Sequence, residues 1–239
     1  MRGGIITVLS ALLFWGSFSY AGLLDDMLKK IPLLSSKQEL DDNTIISGLK
    51  EALSIGTANA VKEVSKTDGY LGNDAIKILM PEKLQKVADV LRKIGFEKPV
   101  DDFILSMNRA AEKAAPKAAD YFVDSVKEMS VEDAKRILND GDTAATDYFK
   151  SKTYDKLFSD FKPVISSSMD EVGVTRSYKE MMAKYSSIPF MKAESLDVDN
   201  YVTNKSLDGL FYMVAQEEKK IRTDPGARVT ELLKKVFGE

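Results

Sequence analysis

Two groups of polar side chains each contain a pair of residues spaced by one helical turn. The first group is Asn108, Arg109 and Glu112. Asn108 and Glu112 lie one helical turn apart and flank an apolar stripe. Polar groups at such an edge can hydrogen-bond across to a neighbouring helix, or to backbone groups freed near Pro116. The spacing therefore predicts a polar cluster that either binds a partner or joins two elements of the fold.

The second group, Glu217, Glu218, Arg222 and Arg228, lies near the end of the chain. Glu218 and Arg222 are spaced i,i+4 in the favourable order, but an exposed pair of this kind contributes only a few tenths of a kcal/mol. One interpretation is a solvated helix end with Arg228 covering the following turn, and the frequency of surface ion pairs on helices favours it. The other interpretation is a bidentate arginine pocket for a carboxylate or a phosphate.

The sequence of 239 residues contains no histidine and no cysteine. This removes the usual general base, the usual zinc ligands and the Cys–His and Ser–His pairs of nucleophilic catalysis. No glycine-rich phosphate loop of the common types occurs, and the Asp, Asn and Gly residues at 68–74 and 139–142 fit turns and caps better than a calcium loop. We therefore expect no catalytic residue, no metal and no cofactor. A hydrolase that uses two carboxylates is an alternative, although no pair of acids stands out.

Apolar residues recur every three or four positions along nearly the whole chain from about residue 44. This spacing is typical of helices with one buried face. We expect helices over about 44–65, from Pro81 to a C-cap at Gly95, and over 100–129 with a break at Pro116. No segment alternates cleanly between apolar and polar residues, so no sheet is expected.

Further helices are expected beyond Ser130, which is predicted to cap a helix that stops at Gly141. A longer helix should follow and end at Gly173. A loop over 186–195 then precedes two helices joined by a turn at 224–226. The predicted fold class is all-α, a multi-helix bundle forming a single domain with a C-terminal helical hairpin.

The first 21 residues have the layout of a secretory signal peptide. Arg2 supplies the positive start, residues 5–15 are mainly apolar, and Ser19 and Ala21 are small residues where a signal peptidase cleaves. We expect cleavage after Ala21 and a periplasmic or secreted protein, which is not a lipoprotein because it lacks a cysteine there. An uncleaved anchor or a buried first helix is the alternative. The expected organisation is a signal peptide at 1–21, a linker or short helix at 22–40 and an all-helical domain at 41–239.

The net charge and the methionine content indicate which classes of binding partner to expect. A formal net charge of −3 gives no reason to expect nucleic acid, and no later stretch is apolar enough to span a bilayer. Methionines along the apolar stripes can line a space that adapts to apolar guests, although ordinary core packing also explains them. We expect a non-catalytic binding or interaction module whose partner is an envelope protein or an apolar small molecule such as a lipid. The sequence leaves the oligomeric state open.

A set of short motifs runs in order through the chain: GLKEAL at 48–53, NRAAEKAAP at 108–116, AKRIL at 134–138, AATDYF at 144–149, DGLF at 208–211 and EKKIR at 218–222. Together they resemble the bacterial family known as domain of unknown function 4197, over about residues 40–238. The resemblance implies an exported helical protein. Many members look like lipoproteins, and this chain departs from them by lacking the cysteine. The resemblance implies no known activity, cofactor or catalytic residue.

Overall fold

The computed structural model describes residues 41–191 and 196–238, and all regular structure in these two ranges is helical. The predicted all-α fold is confirmed. The expected signal peptide and the linker at 22–40 lie outside the described residues. The α-helices are α1 Asp42–Val64, α2 Glu82–Lys93, α3 Glu97–Ala114, α4 Ala118–Lys127, α5 Val131–Asn139, α6 Ala144–Val172, α7 Val174–Ser186, α8 Val198–Thr223 and α9 Glu231–Phe237, with short 3-10 helices at Ala115–Lys117 and Pro225–Ala227.

Local sequence signals set most helix ends. The Ser130 hydroxyl accepts a hydrogen bond from the Asp133 backbone N–H, and the Asp133 carboxylate accepts one from the Ser130 backbone N–H, so a capping box starts α5. Gly95 and Gly173 follow α2 and α6 with φ values of 84° and 81°, which suit glycine. The predicted break at Pro116 is also confirmed, because a 3-10 turn separates α3 from α4 there.

The described residues form a single compact unit with one main hydrophobic core and a small second cluster of Ala52, Ile221 and Leu233. Helix α8 packs against α1 and α6, and α3 packs against α6 and α7. The two last helices are joined by the predicted turn, and both also pack on α1. There the absence of a side chain at Gly48 admits Val236 of α9, whose Cγ2 lies only 2.4 Å from where a Cβ would stand. None of the described helices is long and apolar enough to cross a membrane.

The longest connection described between two helices is residues 65–81, which join α1 to α2 and are here called the 65–81 segment. It consists of successive turns followed by a stretch without regular structure. Tyr70, Ile76, Ile78 and Met80 of this segment are nevertheless buried in the core. A segment without helical hydrogen bonds needs other partners for its buried backbone groups. Those partners come from the first predicted polar cluster.

Candidate functional site

Glu112 binds the backbone at the start of the 65–81 segment. Its side chain projects from α3 and is buried, and its Oε1 accepts hydrogen bonds from the backbone nitrogens of Tyr70 at 3.2 Å and Leu71 at 3.3 Å. The other oxygen, Oε2, accepts one from Arg109 Nη1 at 2.6 Å. This hydrogen bond raises the pKa of Arg109 above its ordinary value. The Glu112 side chain therefore joins the Arg109 guanidinium to two consecutive backbone amides.

Arg109 extends the same contact to a strained residue. Its Nη2 lies 2.7 Å from Asp68 Oδ1, and Asp68 has a φ of 64°. This left-handed conformation costs energy for a residue with a Cβ, although aspartate tolerates it better than most. The guanidinium thus joins Glu112 on α3 to the turn at Asp68 and fixes where the segment leaves α1.

Asn108 binds the other end of the 65–81 segment. It is fully buried, and its Oδ1 accepts a hydrogen bond from the Ile78 backbone nitrogen at 2.9 Å. Its Nδ2 donates to the backbone oxygens of Ile78 and Ile104, each at 2.8 Å. The Asn108 side-chain amide therefore pairs with the Ile78 backbone as a neighbouring β-strand would. It provides hydrogen-bond partners for both the N–H and the C=O group of this buried residue.

Helix α8 supplies the remaining support for the segment. The Tyr70 hydroxyl donates to the Ser206 backbone oxygen at 2.7 Å, and burial raises the pKa of Tyr70 well above its ordinary value. The ring lies over Gly209, where a Cβ would come within 2.7 Å of the Tyr70 Cε1 atom. The Tyr201 hydroxyl donates to the Leu79 backbone oxygen at 3.0 Å, and burial raises the pKa of Tyr201 too. Both phenols therefore remain protonated donors.

A surface groove of about 780 Å³ lies between this supported segment and α8. Leu79 and Tyr212 line it and are 58% and 44% exposed, so the groove presents apolar and aromatic surface to solvent. One side is formed by the end of the segment and the start of α2, and the other by one face of α8. Four α8 residues with side chains line the groove: Tyr201, Lys205, Asp208 and Tyr212.

The second predicted cluster is buried in a different part of the fold. Glu218 is 6% exposed, and its Oε1 accepts hydrogen bonds from the Ala145 backbone nitrogen at 3.0 Å and from Arg222 Nε at 2.9 Å. Its Oε2 accepts from the backbone nitrogen and the hydroxyl oxygen of Thr146, both at 2.8 Å. The residue before α6, Thr143, makes no side-chain cap. Glu218 therefore caps the start of α6 from another helix, where a negative charge is favourable.

The arginines of this cluster cap helix ends. Arg222, whose side chain is 11% exposed, donates from Nη2 to the Ile137 backbone oxygen at 2.9 Å, at the end of α5. Arg228 donates to the backbone oxygens of Ile221 at 3.0 Å and Arg222 at 2.7 Å, at the end of α8. Glu217 is partly buried and accepts a hydrogen bond from Asn59 Nδ2 at 3.0 Å, which joins α8 to α1.

The favoured interpretation of a solvated helix end is wrong for Glu218 and Arg222. Their side chains are buried, because α5 and the start of α6 pack over this face of α8. Arg228 does lie over the turn, as that interpretation expected. The other interpretation, an arginine pocket for an external anion, is wrong for Arg222. Its guanidinium already binds the Glu218 carboxylate and the Ile137 backbone carbonyl.

Sequence reasoning missed the groove itself. Its α8 face repeats at Tyr201, Lys205, Asp208 and Tyr212, a helical spacing of polar and aromatic residues opposite the buried stripe. That spacing predicts an exposed helix face, but it does not distinguish a groove from any other exposed face of a helix. The other side belongs to a stretch without regular structure, whose sequence has no periodicity to detect.

The fold and the site define an all-α protein in which buried polar clamps hold an irregular segment beside an open groove. The chain belongs to the family described as Protein of unknown function (DUF4197), whose model matches residues 39–238. This match confirms the family resemblance drawn from the sequence motifs. Comparisons with curated proteins and with solved structures give no match.

Proposed function

We propose that this protein is a non-catalytic binding module, and that the groove between the 65–81 segment and α8 takes up an apolar ligand. The observation that supports the proposal is that Leu79 and Tyr212 are exposed in one groove, beside a segment whose backbone is hydrogen-bonded to Asn108 and Tyr201. Covering a leucine or an aromatic side chain stabilises a complex by about 1.5–3 kcal/mol for each fully buried group. Exposed apolar residues on a concave, pre-formed surface are typical of ligand sites.

The non-catalytic part of the proposal is supported by the bonding of the buried acids. Each oxygen of Glu112 and of Glu218 already accepts at least one hydrogen bond from the backbone or from an arginine. A general acid or base needs a proton position within reach of a substrate. Carboxylates engaged in this way serve the fold, so we favour binding over carboxylate-based hydrolysis.

We also propose that the module acts outside the cytosol, on the basis of the signal-peptide layout of residues 1–21. Expression in a bacterial host should yield a protein in the periplasmic or secreted fraction whose intact mass corresponds to a chain beginning at Gly22. A full-length chain retained in the cytosolic fraction would contradict this part of the proposal.

The groove is tested with a neutral, solvatochromic apolar dye, Nile red, added to the purified protein. We expect saturable one-site binding, since the dye buries surface against Leu79 and Tyr212. The double substitution Leu79→Ser and Tyr212→Ser should weaken that binding at least about tenfold, because each lost apolar contact removes on the order of 1 kcal/mol.

A matched control replaces two exposed apolar residues elsewhere. Val123 and Val131 are 47% and 41% exposed and do not line the groove. Val123→Ser with Val131→Ser should leave the dye affinity unchanged. The groove would be refuted as the binding site if both double variants lost the same Nile red affinity, or if the unaltered protein showed no saturable binding of the dye.

A further inference from the structure

Three lysines stand around the groove: Lys77, Lys83 and Lys205. Within residues 41–191 and 196–238, none of them lies within salt-bridge distance of a carboxylate. Three cations without a carboxylate partner around a single concavity create a local positive potential.

The acidic residues at the groove only partly offset this charge. Asp208 lines it but pairs with Lys150, whose Nζ lies 3.1 Å from the Asp208 Oδ1 atom. Glu82 also lines it. Three lysines therefore face two carboxylates, one of which is already neutralised by a fourth lysine. The excess of positive charge attracts an anion, and the attraction grows in proportion to the ligand charge. The cost of removing an ion from water grows with the square of its charge, so a partly apolar groove favours a singly charged group.

The space between the lysines is apolar. Ile76, Met80 and Pro81 are buried and line the groove, while Leu79 and Tyr212 are exposed along it. The volume of about 780 Å³ lies in the range of sites for small molecules. A fitting ligand therefore has an apolar body that covers Leu79 and Tyr212 and one anionic end within reach of the lysines.

We propose that the groove binds a single-chain amphiphile with a monoanionic carboxylate head, a ligand of the fatty-acid class. This inference rests on the proposed binding function and adds the chemistry of the ligand. The acyl chain lies against Leu79 and Tyr212, and Lys77, Lys83 and Lys205 surround the carboxylate. Ammonium groups act here as mobile point charges, which suits a head group at the solvent-exposed rim.

The test is isothermal titration of the purified protein with three amphiphiles that share a twelve-carbon chain, each kept below its micelle concentration. These are dodecanoate, dodecyl phosphate and dodecyltrimethylammonium. We expect dodecanoate to bind most tightly and the cationic amphiphile about tenfold more weakly, because partly exposed charge contacts each change affinity severalfold at most. Raising the ionic strength should narrow this difference, since salt screens exposed charges.

Charge variants separate the head-group contacts from the apolar ones. The triple substitution Lys77→Gln, Lys83→Gln and Lys205→Gln should weaken dodecanoate binding about tenfold, and should weaken binding of the neutral dye Nile red much less. The control carries the same change in net charge at three exposed lysines that do not line the groove: Lys62→Gln, Lys117→Gln and Lys156→Gln. It should bind dodecanoate like the unaltered protein.

The outcomes distinguish the two proposals. If all three amphiphiles bind equally well and all lose affinity on Leu79→Ser with Tyr212→Ser, the groove binds apolar ligands but the anionic assignment is overturned. If dodecyl phosphate bound more tightly than dodecanoate, the assignment of a carboxylate head group would be overturned. If none binds and Nile red also fails, the binding function itself is wrong.

Discussion

Glu218→Ala is expected to lower the free energy of unfolding by about 3–5 kcal/mol, the usual cost of removing one partner of a buried ion pair. The substitution leaves Arg222 without its carboxylate and removes the cap from the backbone nitrogens of Ala145 and Thr146. Glu218 joins α8 to the start of α6, and Arg222, which Glu218 pairs with, joins α8 to the end of α5. Urea unfolding monitored by circular dichroism measures the change.

The matched control for this substitution is Glu231→Ala. Glu231 is 92% exposed and pairs with Lys234 across one helical turn, so its removal should change stability by less than about 0.5 kcal/mol. The double substitution Glu218→Ala with Arg222→Ala should cost less than the sum of the two single changes, since it leaves no unpaired buried charge. Equal effects at 218 and 231 would show that the buried pair contributes no more than a surface pair.

Asn108→Ala is expected to destabilise the protein by about 2–4 kcal/mol and to loosen the 65–81 segment in particular. It leaves the buried N–H and C=O groups of Ile78 without partners, at about 1–3 kcal/mol for each unsatisfied group. Amide hydrogen exchange should accelerate at Ile78 more than in helix α6, because the segment opens locally before the core unfolds. Nile red affinity should fall in parallel, since the groove loses the support of one side.

Asn139→Ala provides the comparison for Asn108. Asn139 is exposed, and its Nδ2 donates to the Lys135 backbone oxygen one turn earlier, as Asn108 does to Ile104. The control therefore removes a similar intrahelical bond without the contact to another segment, and should change stability by less than about 1 kcal/mol. If Asn108→Ala left exchange at Ile78 unaltered, the segment would be held by packing alone.

The helices were predictable because their signals are local. The spacing of apolar residues every three or four positions located the helices. Three helix ends were predicted correctly from single residues, namely Ser130, Gly95 and Gly173. Pro116 was recognised as a break because proline cannot continue the hydrogen-bond ladder, whatever surrounds it. Such features depend on residues within one or two turns of each other.

The burial of Glu218 was not predictable in this way. Glu218 and Arg222 have the spacing of an ordinary surface pair, and the partners that bury them, Ile137 and Thr146, lie far away in the sequence. For Asn108 and Glu112, the position at the edge of an apolar stripe predicted a polar contact, but both expected partners, a neighbouring helix and the backbone near Pro116, were wrong. The element contacted was not a helix but the 65–81 segment, whose turns carry no periodic signal.

We propose the apolar, lysine-rimmed groove beside α8 as the binding site of this protein. The most direct measurement is an NMR titration of the isotope-labelled protein with dodecanoate, followed through its backbone amides. We predict that the largest saturable shifts occur at Leu79, Tyr201, Lys205 and Tyr212, with little change in α5 and at the start of α6. Shifts that centre on another surface, or an unchanged spectrum at saturating ligand, would contradict the account.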